Sequence, residues 1–310
     1  MRAAVLITLC LALSVFGCCL AEQCHAAGRL AVSVIFSSDI EAYTQAWNGF
    51  RSYFDEQEVS LAVSTYNLKD QEPAMVCSEI EARGSDVVFT LGTQASRLAR
   101  ERIKNIPVIF CMVFNPGEFA GTNSTGVSME IPIEARLQGI KKILPHAKNV
   151  AAVYSTETAE AYRQVFSKGS QLGLTIIGKQ IDSERQLPDA IRELDYRMDC
   201  FLMLADSQLY SPASVKHLLL ESLRQGFPVV GLSSHYTQAG ALFSFDCDYG
   251  DLGRQAAEIA SRITNGETPG AIPPLAPRKI RLSINMLAAD RLGIEISSET
   301  AKRASEVFGR

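Results

Sequence analysis

The run DVVFTLGTQASRLARERIKNIPVIFCMV, Asp86–Val113, decides the fold. It opens on an apolar stretch, Asp86–Leu91, and turns through Gly92, Thr93 and Gln94 into a helical pattern over Ala95–Arg102. It closes on a second apolar stretch, Pro107–Val113. Strands that read as continuous apolar runs are covered on both faces, as in parallel sheets flanked by helices. A strand–helix–strand unit of this kind therefore predicts a parallel pair with its helix packed across it.

The unit recurs outward in both directions. Strand-like runs at Leu30–Phe36, Leu61–Tyr66, Val150–Tyr154, Leu174–Gly178, Cys200–Ala205, Phe227–Leu232, Ala241–Phe245 and Lys279–Ile284 alternate with helical patterns. The helical patterns are Ala42–Asp55, Pro73–Arg83, Glu134–Leu144, Ala159–Leu172, Leu187–Leu194, Pro212–Gln225 and Asp251–Asn265. This alternation predicts an α/β, doubly wound architecture. The rhythm pauses over Asn115–Pro132, where Pro, Gly, Asn and Ser dominate, and resumes at Glu134. The expectation is two doubly wound parallel-sheet lobes with a ligand cleft between them. Residues 28–130 plus 241–272 are assigned to the first lobe, and 131–240 plus 273–310 to the second. The last segment is expected to add one strand and one helix.

Composition narrows the function. The chain of 310 residues is 47% hydrophobic and 21% charged, with 30 Lys+Arg against 34 Asp+Glu. A net charge of -4 without a basic stripe argues against nucleic acid as a partner. Met1-Arg2 precedes an uncharged apolar run, Ala3–Ala21, and the small residues Ala26, Ala27 and Gly28 follow. That is the layout of a secretory signal, read here as residues 1–27, and it predicts a periplasmic or other extracytoplasmic location. Val15-Phe16-Gly17-Cys18 also resembles a lipobox, which makes Cys18 the lipidation candidate and a lipid anchor the one membrane contact expected. Cys77, Cys111, Cys200 and Cys247 are too scattered for a zinc site or a disulfide framework and read as small buried apolar residues.

Catalytic signatures are missing. The sequence has no G-x-G-x-x-G, no phosphate loop, no G-x-S-x-G elbow and no H-E-x-x-H, so no cofactor, no metal and no enzyme activity are expected. Beyond the signal only His146, His217 and His235 remain. A triad of Ser234, His235 and Asp206 is disfavoured, because adjacent residues rarely place nucleophile and base correctly.

Polar residues instead cluster just beyond the strand ends, where open α/β sheets bind ligands. In chain order the candidates are Ser37 and Ser38, Thr93 and Gln94, Phe114 and Asn115, Glu157, Asp206 and Ser207, Ser234, and Asp248. Helix N-termini at Thr93–Gln94 suit a carboxylate, and Asp206 or Asp248 an ammonium. Phe114, Tyr210 or Tyr236 can wall the pocket. The same residue types are preferred helix caps, so each also has a purely structural reading.

Several stretches together resemble ABC transporter substrate-binding proteins of the tryptophan/tyrosine type. They are Ile106–Phe110 running to Phe114-Asn115-Pro116, Thr125–Ser128, Ile143–Val150, Asp248–Gln255, and Pro277–Lys279 through Ile284-Asn285 to Ala289 and Leu292–Ile294. The resemblance implies a type I periplasmic-binding-protein-like fold that closes on a small-molecule ligand. It also implies an ABC permease and ATPase as partners, and no catalysis. It places Gly92-Thr93-Gln94, Phe114-Asn115-Pro116, Asp206-Ser207 and Asp248-Tyr249 on the cleft. Asn115 stands where the family usually has Asp, and Ser155-Thr156-Glu157 replaces a commoner Asn-Pro-x-Glu. Two alternatives stay open: the ligand-sensing partner of a membrane receptor or histidine kinase, and an exported α/β hydrolase. A repressor of similar core is excluded by the export segment lying where its DNA-binding helices would be.

Overall fold

The computed structural model describes residues 29–309 except 195 and 196. The export segment, with Cys18, lies outside the described residues. In the first lobe β1 (Leu30–Phe36), α1 (Glu41–Glu56), β2 (Leu61–Asn67), α2 (Pro73–Arg83), β3 (Val87–Leu91), α3 (Thr93–Arg102) and β4 (Val108–Val113) alternate. β5 (Ser124–Ser128) completes a parallel sheet of order β2-β1-β3-β4-β5. β3 and β4 are buried throughout, as their unbroken apolar runs demand. Val87, Phe89 and Leu91 pack on one face with Trp47 and Phe50, while Val88 packs on the other with Val76, Ile80 and Ala99.

The second lobe begins at α4 (Ile133–Ile143), followed by β6 (Asn149–Tyr154), α5 (Ala159–Gln171), β7 (Thr175–Gln180), α6 (Leu187–Leu194) and β8 (Cys200–Leu202). Next come α7 (Pro212–Gln225), β9 (Val229–Gly231), α8 (Ser234–Ala239) and β10 (Phe243–Cys247). The chain then returns to the first lobe as α9 (Tyr249–Thr264). It crosses a last time to form β11 (Ile280–Asn285), α10 (Met286–Arg291), α11 (Ser298–Arg303) and β12 (Glu306–Phe308). The sheet order is β12-β11-β10-β9-β8-β6-β7, parallel except where β11 runs antiparallel to β10.

The structure differs from the sequence expectation in four places. Residues 241–247 belong with the second sheet, not the first lobe, because β10 pairs with β9 and β11. Leu275 bridges to Val127 of the first lobe, so the final crossing falls near Arg278 and not at 273. β5 lies inside the supposed pause: its Ser, Thr and Gly residues look like loop, yet all five positions are buried. Gly126 permits this, since a Cβ there would stand 1.9 Å from the Phe110 carbonyl oxygen. The terminal segment forms two strands and two short helices, each too short to show a period. Cys77, Cys111, Cys200 and Cys247 are free and buried, and burial pushes the Cys200 and Cys247 thiols up to about 12.

α9 is tied to the first lobe by an unusually close crossing with α1. A Cβ on Gly49 would lie 1.8 Å from the Gly250 carbonyl oxygen, and one on Gly253 1.7 Å from that of Ala46. The obstacle is backbone in both cases and cannot rotate away. Gly253→Ala is expected to lower unfolding free energy by about 3 kcal/mol or more, the upper range of core overpacking. Denaturant titration checks this, and a loss below about 0.5 kcal/mol would mean that the helices part freely.

Candidate ligand-binding cleft

The carboxyl ends of the first sheet present three polar turns. The Ser37 amide donates to the Leu91 carbonyl, and its Oγ accepts from the Ala95 amide at 2.9 Å. Those two bonds lock the end of β1 onto the first turn of α3. Gly92 holds φ +90°, and a Cβ there would sit 2.1 Å from the Tyr43 hydroxyl and 2.8 Å from Ser37 Oγ. Only glycine fits. Burial pushes the Tyr43 hydroxyl up, partly offset by its hydrogen bond with Ser37. Thr93, half-buried, and Gln94, exposed, then open α3 at the cleft end of the sheet.

β4 ends in strain. The register with β5 shifts between Cys111 and Val113, and the intervening Met112 holds φ +60°. Asn115 holds φ +51°, with its amide donating to Glu130 Oε1 at 2.7 Å. A bulge re-aims the side chains after it, and Phe114 is left 45% exposed at the end of an otherwise buried strand. Left-handed non-glycine residues cost about 1–3 kcal/mol each and gather at ligand sites.

In the second lobe Asp206 organises the strand ends. Its Oδ2 accepts from the Ser155 amide and the Thr158 hydroxyl at 2.6 Å; its Oδ1 accepts from the Gln208 and Leu209 amides. Burial raises the carboxyl's pKa, but these donors outweigh it and hold it below the ordinary aspartate value. With both oxygens occupied, Asp206 orders the loops after β6 and β8. The exposed carboxylate between those loops is Glu157, which accepts from Ser207 Oγ at 2.8 Å. Asp248 caps α9, its Oδ1 accepting from the Asp251 amide. The Ser234 amide points at Asp246, which also accepts from the Tyr249 hydroxyl at 2.8 Å. His235 is exposed, and no hydrogen bond joins it to Asp206 among the described residues.

The candidates lie at the strand ends of the two sheets, Ser37, Ser38, Thr93, Gln94, Phe114 and Asn115 on the first lobe, Glu157, Asp206, Ser207 and Ser234 on the second; of these only Ser234 and Ser38 line the two recesses described next. Asp248 stands at the crossing. A pocket of about 250 Å³ spans the lobes beside the crossings, between Glu41 and Gln45 of α1 and Ser234, Asp246, Arg281 and Glu306 opposite. A wider recess of about 570 Å³ lies at the ends of β1 and β2, lined by Ser38, Asp39, Trp47, Tyr66 and Asp70.

Three chain segments connect the lobes and are fastened to one another. Cys247 Sγ donates to the Met129 carbonyl at 3.2 Å, and the Asp248 amide to the Lys279 carbonyl. Asp251, its side chain 2% exposed, pairs with Arg278 at 2.9 Å and Lys279 at 3.3 Å. Arg278 also meets Glu258 at 2.8 Å, and the two acids raise its pKa above the ordinary arginine value. Gln255 brackets the same segment, donating to the Ala276 carbonyl and accepting from the Arg278 amide.

One functional candidate escaped the sequence reading. Arg136 is 8% exposed, on the face of α4 that carries Leu137, Ile140 and Ile143. A charged residue at a core-facing helical position was the signal, legible as Ile133, Arg136, Leu137, Ile140 at helical spacing. Burial lowers its pKa to about 10, so it stays charged at neutral pH. Among the described residues no His/Cys/Asp/Glu cluster could hold a metal, and no helix is long and apolar enough to cross a membrane.

Comparison with known proteins adds the family. The model for ABC transporter substrate binding protein matches residues 30–308. The chain belongs to that family. A tyrosine-binding protein of Clostridioides difficile strain R20291 is 24% identical over 250 residues, covering 74% of this chain and 72% of that one. Among solved structures, the ABC domain from Streptococcus pneumoniae in complex with L-Trp superposes with a TM-score of 0.66 at 19% identity. That match covers 91% of this chain and all of the other. The ligand-free, open substrate-binding protein with adhesive properties from Clostridium difficile reaches 0.78 at 20% identity, with coverage of 91% and 100%. The fold is the α/β type I-like periplasmic-binding-protein fold, as the sequence resemblance implied. Members of this family receive small-molecule solutes for ABC transporters on the extracytoplasmic side.

The Asp206 network makes a pH prediction. A folded-state pKa below the unfolded one gives stability that is present above the unfolded value, near 4, and lost as pH falls through the folded value. Asp206→Asn should cost about 1–3 kcal/mol at pH 7, and the gap to wild type should shrink as pH falls toward 3. Chemical denaturation across that range checks it. An unchanged gap at pH 3 would show that the carboxylate's charge is irrelevant.

Proposed function

We propose that this chain is the extracytoplasmic receptor of an ABC-type importer and holds an amino acid in the cleft between its lobes. It then hands the solute to a permease driven by an ATPase. The observation that supports the reading is that polar turns, Ser37/Thr93/Gln94 and Glu157/Ser207, stand at the strand ends of two α/β lobes joined by three fastened crossings. Amides and hydroxyls at Thr93–Gln94 suit a carboxylate. Glu157, exposed and oriented by Ser207, suits an ammonium better than Asp206, whose lone pairs are taken. Phe114, lifted by the β4 bulge, offers an apolar wall. The relatives' tyrosine and L-Trp support an amino acid as the solute class. Export through residues 1–27, with either release or tethering at Cys18, fits this role.

A thermal-shift screen of the chain from Gly28 onward, refolded to strip bound solute, tests the proposal. Amino acids, sugars, nucleosides and short peptides are added singly. A binder at 100 times its dissociation constant stabilises by about 2.7 kcal/mol, several degrees for a protein of this size. A rise with an aromatic or branched-chain amino acid is expected. A rise with sugars or nucleosides alone would contradict the amino-acid assignment, and no rise with any solute would contradict the receptor role.

A further inference from the structure

Among the described residues Arg136 is a buried cation without a counter-ion. It lies in the first turn of α4, at the end of the lobe where the parallel strands finish, and its Nη2 donates to the carbonyl of Met203, one residue past β8, at 2.7 Å. A guanidinium carries five N–H donors, and Met203 is the one acceptor it meets among the described residues. No ion pair among the described residues includes it. Leaving such a charge buried and unpaired is costly unless an anion meets it.

The second observation is its neighbour. Tyr210 is electrostatically close to Arg136, and its hydroxyl is buried without a hydrogen-bond partner, the Leu204 amide approaching but not meeting bonding geometry. Asp206, the acid nearest to Tyr210, has both oxygens occupied by other donors and does not pair with the arginine. A guanidinium with donors to spare and an unpartnered hydroxyl thus lie within electrostatic reach of each other near the strand ends of the second lobe. We infer that Arg136 and the Tyr210 hydroxyl receive a carboxylate of the bound solute from the second-lobe side of the cleft. This rests on the solute-receptor reading above. In a diacid it is the side-chain acid, with the α-carboxylate at Thr93–Gln94; in a monoacid this site takes the α-carboxylate in place of Thr93–Gln94.

Calorimetric titration of the refolded chain tests the assignment. L-Tyrosine is compared with L-tyrosinamide, and L-glutamate with L-glutamine and L-isoglutamine, which neutralise the side-chain and α-carboxylates respectively. Wild type should bind the acid about 100-fold more tightly than the amide that removes the Arg136 partner, the scale of a charge-assisted hydrogen-bonded contact. Arg136→Gln should bring that ratio near one, and Tyr210→Phe should reduce it several-fold. A purely structural arginine would leave the ratio unchanged in a folded Arg136→Gln, which overturns the inference. Should Arg136→Gln fail to fold, an unchanged ratio in Tyr210→Phe overturns it instead. Failure of both acids to bind wild type, or equal binding of acid and amide, overturns the arginine assignment alone if the wider screen still finds a solute. No solute at all defeats both readings.

Discussion

The ion pair between Asp251 and Arg278 fastens the third crossing between the two lobes. Asp251 is buried in the first turn of α9, and α9 is held to α1 by backbone contact at Gly49 and Gly253. Arg278 stands two residues before the chain enters β11 of the other sheet. Fastening one to the other anchors the third crossing to a rigid helix pair, and Glu258 and Gln255 hold it from the same helix. Removing Arg278 would leave the buried Asp251 carboxylate with Lys279 as its remaining cation. In the proposed receptor the short links at 129–132, Asp248 and 278–279 form the hinge, and each lobe moves as a unit.

That hinge explains how a cleft lined by helix caps can select a solute. Each polar turn is spoken for within its own lobe: Ser37 by Ala95, Asp206 by four donors, Asp248 by Asp251. What the proposed site offers a ligand is the surplus left unpaired among the described residues: the amides of Thr93–Gln94, the second oxygen of Glu157, and the spare donors of Arg136 and Tyr210. A solute that satisfies both lobes shifts the open–closed equilibrium by its differential affinity for the closed form.

Most of the fold was legible because β3, β4, β6 and β8 are apolar throughout and their helices are amphipathic. β5 was not, since its burial depends on Gly126 meeting Phe110, a tertiary fact without a local signature. The lobe boundary slipped at 241–247 for a related reason: β10 reads as a strand, but sequence does not say which sheet it joins. At the site, the strand-end rule located the polar turns and failed to separate working carboxylates from structural ones. Asp206 and Glu157 look equivalent in sequence; only the hydrogen bonds show that one is saturated and the other exposed. Arg136 stayed hidden because it lies within a helix, where the strand-end rule does not reach.

In the proposed receptor, solute binding closes the two lobes about the Asp251–Arg278 crossing. The most direct test is the distance between spin labels on exposed Lys69 of the first lobe and Gln208 of the second, each replaced by cysteine, measured with and without a solute shown to bind. The native cysteines are buried and, where burial raises them furthest, stay protonated. The account predicts a shorter and narrower distance distribution when the cleft is filled. An unchanged distribution at saturating solute would contradict it.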